Sequence, residues 1–191
     1  NERLVDDDFC AHGLLTRFRV DTVGTTDDPS DSLSHHQACA ALDLETRIYP
    51  TFRPDKAVMV DRPHILNPFC DQLEQECDLE IQSLPELLEA LGKRHDDFHA
   101  AGCRLSDHGM RYCPSETCTE KEAASIFQNA RSGHAANAAE VDQFTSFFMQ
   151  QIGRWNSDRD WAMQLPLAPV RNPNPRHFDQ LGPDSGFDTI G

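Results

Sequence analysis

Short apolar runs alternate along this chain with longer stretches of three- and four-residue periodicity, and the alternation predicts its secondary structure. Residues 6–18 read as a short helix. The run Arg19-Val20-Asp21-Thr22-Val23-Gly24-Thr25-Thr26 has the β-branched content of a strand, stopped by Asp27-Asp28-Pro29. Ser34 to Ala41 reads as a helical turn. Thr46 to Phe52 is a second strand, ended at Arg53-Pro54 because a residue before proline is pushed out of helical geometry. A helix opens at Ser83, where Glu86 completes a capping box and Pro85 is tolerated in the first turn. Its Leu84, Leu87, Leu88, Leu91 and Phe98 form a buried stripe, with Glu89, Lys93 and Arg94 facing water. Gly102 ends it, and Cys103-Arg104-Leu105 is a third strand.

Two more capping boxes, Thr119 with Glu122 and Asn137 with Glu140, open a helical hairpin. Its first helix stops near Gly133; its second carries Val141, Phe144, Phe148, Ile152 and Trp155 at helical steps. Trp161 to Leu165 reads as a fourth strand. The tail from Pro166 to Gly191, rich in Pro, Asn, Asp and Gly, reads as loop. Strands separated by helices are the pattern of parallel βαβ units, so the expected class is α/β.

Charge then narrows the partners. With 191 residues and a net charge of −15, the chain suits one acidic domain with no basic face for nucleic acid or an anionic membrane. No segment approaches the roughly 20 apolar residues of a membrane span, and the first 30 residues hold no apolar signal region. A soluble, cytoplasmic protein is expected. Seven cysteines without CxxC spacing suggest reduced thiols scattered through core and surface, not a disulfide framework or a thiolate zinc site.

Candidate chemistry collects after the strands. Phe52-Arg53-Pro54-Asp55-Lys56, Ser106-Asp107-His108 and Arg171-Asn172 would deliver acid, base and cation to one end of a sheet. Arg53 offers a planar fork that can hold a carboxylate bidentately, although an ion pair with Asp55 would also occupy it. Asp107-His108 could act as general acid/base or stand near a metal, since imidazole titrates near neutrality. Nine histidines include no HxH or HExxH pair, so no metal ligand is assigned. His35-His36 read as solvated surface, Asp27-Asp28 as a cation site or, better, a cap for the next helix. Gly182-Pro183-Asp184-Ser185-Gly186-Phe187-Asp188 reads as turns.

Taken in order, Val23 to Pro29, Phe52 to Lys56, Gly102 to His108, Met163-Gln164-Leu165, Arg171-Asn172 and Leu181 to Asp188 resemble the central part of a uronate isomerase. That family lies in the amidohydrolase superfamily of (β/α)8 barrels and interconverts D-glucuronate with D-fructuronate and D-galacturonate with D-tagaturonate. The resemblance implies a single partial TIM-barrel domain over 1–191, about strands four to six, with a helical insertion at about 115–156. It implies a uronate substrate bound by Arg53, Arg171 and Asn172, and His108 with Asp107 as the catalytic pair. It also implies a divalent metal, zinc first, whose HxH strand and final Asp strand are not in this chain. Where the family has His-x-Gly-Ala-x-Arg-Asn, this chain reads Pro166-Leu167-Ala168-Pro169-Val170-Arg171-Asn172, and proline can neither bind metal nor carry a proton. An isolated chain of this kind is expected to be inactive, and to self-associate or to pair with the missing strands. The alternative is a non-catalytic uronate-binding or assembly module; a related hydrolase is a third, weaker reading.

Overall fold

The computed structural model describes residues 9–167, 169–183 and 185–190. Four short parallel strands, β1 (Thr22–Gly24), β2 (Arg47–Tyr49), β3 (Leu105–Asp107) and β4 (Ala162–Gln164), alternate with helices. β1 pairs with β2 in the register Val23 to Ile48, and β3 with β4 in the register Ser106 to Met163. Phe52 joins the two pairs, bridging Asp27 on one side and Ser106 on the other. Its N–H donates to the Leu105 carbonyl, and its own carbonyl accepts from Asp107 N–H. Spatial order therefore follows chain order, as strand–helix–strand connections favour.

The connecting helices are α1 (Ala11–Arg17), α2 (Ser34–Ala40), α3 (Pro63–Cys77), α4 (Leu84–Ala100), α5 (Glu120–Arg131) and α6 (Ala138–Asp158). All three predicted capping boxes form, at Ser83, Thr119 and Asn137. Each satisfies N–H groups that the first helical turn leaves without partners. The α4 stripe is buried as predicted at Leu84, Leu87, Leu91 and Phe98, each contributing about 1.5–3 kcal/mol on burial. α4 ends where Gly102 takes φ +95° with the Tyr49 ring against it, so a side chain there would meet both strain and a clash.

Several expectations change. α3 is an addition to the predicted elements; it buries Leu66, Phe69, Cys70, Leu73 and Cys77 and accommodates Pro68 in its interior. Arg94 does not face water. It is 6 % exposed, donating to the carbonyls of Pro29 and Asp31 and to Asp97, and so ties α4 to the loop after β1. The tail is partly ordered: β5 (Pro169–Val170) pairs antiparallel with β6 (Thr189–Ile190), and α7 (Pro175–Leu181) lies between them. The third strand runs from Leu105 to Asp107, two residues later than expected, which draws Ser106 and Asp107 into the sheet. Residues 6–8 of the predicted first helix, and Asp184 of the predicted turn, lie outside the described residues. All seven cysteines are free, with Cys70, Cys77 and Cys103 buried. No helix among the described residues is long and apolar enough to cross a membrane.

Candidate active site

Parallel strands present their carboxyl ends to one rim, where side chains escape the packing of the sheet. Asp27 and Asp28 follow β1, Arg53 follows Phe52, and Asp107 closes β3 with His108 next to it. Arg53 Nε donates to Asp55 Oδ2 at 2.8 Å, and its Nη1 stands 3.4 Å from Asp107 Oδ2. Asp55 also accepts the Gly109 N–H. Burial raises the Asp55 carboxyl above its ordinary range, although Arg53 and Gly109 pull it down. Gly109 leaves room for this arrangement: a Cβ there would collide with Arg53 Nη2 and lie 2.9 Å from Asp55 Oδ2, so the Arg53 guanidinium would have to move.

The acids after β1 are not helix caps, in contrast to the expectation. α2 is preceded by Leu33 and has no side-chain cap. Asp27 instead accepts the Thr51 N–H at 3.0 Å and the Thr25 hydroxyl at 2.6 Å, stitching β1 to the strand beside it. Asp28 accepts from Ser30 and pairs with Lys56 at 3.0 Å. His36 is likewise no solvated surface group: its Nε2 lies 2.8 Å from Thr25 Oγ1 and 3.6 Å from Asp27. Both side chains were drawn in by tertiary contacts across the strand ends, which a local propensity for caps or surface does not register.

An open cleft of about 1050 Å³ lies over this rim, and Arg53, Lys56, Arg62, Arg111 and Arg171 all line it. Asn172 shares its wall. Five of the chain's 17 lysines and arginines thus line one cleft together with Asp27, Asp28, Asp31 and Asp55, and Arg53 is paired with Asp55, Lys56 with Asp28, Arg62 with Asp61 and Arg171 with Asp188. Arg171 is half exposed and donates to Asp188 at 2.6 Å, which also accepts the Asn172 N–H and is held below the usual carboxylate range by those two hydrogen bonds. Asn172 adopts φ +51°, and its Oδ1 is buried without a partner among the described residues.

His108 lines a second cleft of about 550 Å³ that shares Asp55, Met59, Arg62 and Gly109 with the first. It is 2 % exposed, and burial drops its pKa to about 4. Behind it runs a buried polar chain that was not anticipated beyond Ser106. Ser106 Oγ lies 2.8 Å from His108 Nε2, Asn156 Nδ2 donates to Ser106 Oγ at 2.7 Å, and His95 Nε2 lies 3.0 Å from Asn156 Oδ1. The available signal was a polar residue on each apolar stripe: His95 continues Leu84, Leu87 and Leu91 on α4, and Asn156 continues Phe148 and Ile152 on α6.

The sequence matches the glucuronate isomerase family over residues 1–191. The chain belongs to that family. It is 48% identical over 191 residues to the uronate isomerase of Opitutus terrae and 46% identical to that of Solibacter usitatus, covering all of this chain but 40% and 41% of those proteins. Among solved structures it resembles the uronate isomerase of Thermotoga maritima with a TM-score of 0.86 at 31% identity, covering 94% of this chain and 40% of that one. The glucuronate isomerase of Caulobacter crescentus shares the fold, with a TM-score of 0.88 at 24% identity over the whole chain and 39% of its own. This member of the glucuronate isomerase family therefore spans about two fifths of its relatives' length.

The divalent metal that the resemblance implies does not fit the residues present. Among the described residues no three His, Cys, Asp or Glu side chains are grouped to hold an ion. Asp27 and Asp55 on the rim are engaged by Thr25 and Thr51, and by Arg53 and Gly109.

Proposed function

We propose that this chain supplies the uronate-binding rim of a uronate isomerase of the amidohydrolase superfamily, working in the cytoplasm on D-glucuronate or D-galacturonate. In this reading residues 1–191 are one partial (β/α)8 barrel domain, with α5 and α6 forming an insertion at about 115–156. Four parallel strands in chain order support the barrel. The observation that carries the function is the open cleft that brings Arg53, Arg171 and Asn172 to one wall although they stand far apart in the chain. The Arg53 guanidinium is paired with Asp55 and stands by Asp107, so in this reading the sugar carboxylate exchanges with one of these acids at the fork, with Arg171 and Asn172 on the same wall. Isomerisation moves one proton from C2 to C1 of the aldose and one from the C2 hydroxyl to the C1 oxygen, and in this reading Asp107, 3.4 Å from Arg53 Nη1, and His108, in the adjoining cleft, are the acid/base pair.

Pro166 favours a second reading, a binding or assembly module without turnover, because it stands where the resemblance calls for a histidine. Calorimetry with glucuronate tests both. This polypeptide is expected to bind the sugar and to form no ketose by itself. Arg53→Ala is expected to weaken binding by 10-fold or more, given about 1.5–3 kcal/mol for a hydrogen bond to a charged group. Binding unchanged by that substitution rules out the site. Turnover that returns when the rest of a relative's chain is added supports the isomerase; binding alone under those conditions supports the module. Gly109→Ala leaves the guanidinium in the chain but displaces it, so it should weaken glucuronate binding by a similar factor while the protein remains folded by circular dichroism.

A further inference from the structure

We infer that Ser106, Asn156 and His95 are positioning residues that hold His108 as its Nδ1–H tautomer, so that it meets the cleft as a hydrogen-bond donor to a substrate oxygen and not as a base. This deepens the isomerase reading and rests on it for the identity of that oxygen.

The direction of the buried chain follows from what each group can give. An amide oxygen only accepts, so His95 Nε2 carries a proton and donates it to Asn156 Oδ1 across 3.0 Å. The amide nitrogen only donates, so Ser106 Oγ accepts from Asn156 Nδ2 at 2.7 Å. A hydroxyl oxygen could accept a second hydrogen bond, but among the described residues the Ser106 hydroxyl hydrogen has no acceptor other than His108 Nε2, 2.8 Å away, so in this fully buried position it is directed there and that nitrogen accepts. A neutral imidazole whose Nε2 accepts carries its proton on Nδ1.

Rotating the Asn156 amide would reverse every bond in the chain, and the surroundings of His95 decide against it. His95 is fully buried, stacked on Trp161 at 3.9 Å with Phe52 at its edge. Its Nδ1 is buried without a partner among the described residues. Reversal would place a hydrogen on that nitrogen, leaving an orphaned buried N–H, the rarer defect in folded proteins. In the direction assigned, Nδ1 of His95 is a bare lone pair facing rings. Nδ1 of His108 is not sealed in this way, and His108 lines the cleft. A neutral imidazole N–H can polarise a carbonyl oxygen without taking a proton.

Long-range 1H–15N spectra of histidine-labelled protein at pH 7 read the tautomer directly, with His108 assigned by the signal lost in His108→Gln. The expected pattern is a protonated Nδ1 and a pyridine-like Nε2. A protonated Nε2, or an even mixture, overturns the inference. Ser106→Ala should release His108 toward the Nε2–H form while Ser106→Thr, which keeps the hydroxyl, should not; a folded Ser106→Ala protein with the wild-type pattern also overturns it. If Ser106→Ala fails to fold, the wild-type spectrum decides alone. Glucuronate added to the same sample should move the His108 Nδ1 signal. An unmoved signal with the tautomer as assigned counts against the isomerase reading and not against the positioning chain.

Discussion

Phe52→Ala is expected to lower the unfolding free energy by about 3–5 kcal/mol, the usual cost of deleting a fully buried aromatic ring. That is about a fifth or more of the roughly 5–15 kcal/mol available to a domain of ordinary stability. Phe52 is 0 % exposed, and its ring meets His95 and Phe98 edge-on at 5.2 Å and Trp161 at 6.4 Å. Its backbone is the bridge between the two strand pairs. The cavity would open where sheet and α4 meet, directly below Arg53, so glucuronate binding should fall along with stability. Urea unfolding followed by circular dichroism measures the loss, with Phe18→Ala as the comparison, since Phe18 is 73 % exposed and should cost about 0.5 kcal/mol or less. A loss at Phe52 no larger than that at Phe18 would show that the ring is not a core member.

Acid should destabilise the protein well above the carboxylate range. His95 and His108 are both brought down to about 4 by burial, from an ordinary 6.5. A histidine that stays neutral in the folded state binds fewer protons there than in the unfolded chain at any pH between those two values. Stability therefore holds above about pH 6.5 and is lost progressively as pH falls from 6.5 toward 4. By pH 5 each group accounts for about 2 kcal/mol, at 1.36 kcal/mol per pH unit below the unfolded value. Urea midpoints at pH 7, 6 and 5 should fall steeply for the wild type and less steeply for His95→Gln and for His108→Gln. Equal slopes in all three proteins would mean that neither imidazole is buried in its neutral form.

The same two histidines show where local reading stops. The capping boxes at Ser83, Thr119 and Asn137 were legible because a cap is written within four residues, and all three form. α3 was harder, since Pro63 and Pro68 break the expected rhythm of a helix whose stripe is nonetheless regular from Leu66 to Cys77. Arg94 was assigned to water by its position beside the leucine stripe, yet it is buried by carbonyls of Pro29 and Asp31, some 65 residues earlier. Asp27 and Asp28 were assigned to a cap by residue type and serve instead as acceptors for Thr25, Thr51, Ser30 and Lys56.

The sequence by itself determined the α/β alternation, the starts of α4, α5 and α6 and the family to which the chain belongs, because these depend on periodicity, short-range hydrogen bonds and long specific motifs. Only the tertiary structure decided that Arg53 lies between Asp55 and Asp107, that five cations face one cleft, and that His108 is backed by Ser106, Asn156 and His95. The physical reason is distance along the chain. The bonds from His95 to Asn156 and from Asn156 to Ser106 join residues 61 and 50 positions apart, and desolvation, which sets the proton affinity of His95 and His108, exists only once those segments have packed.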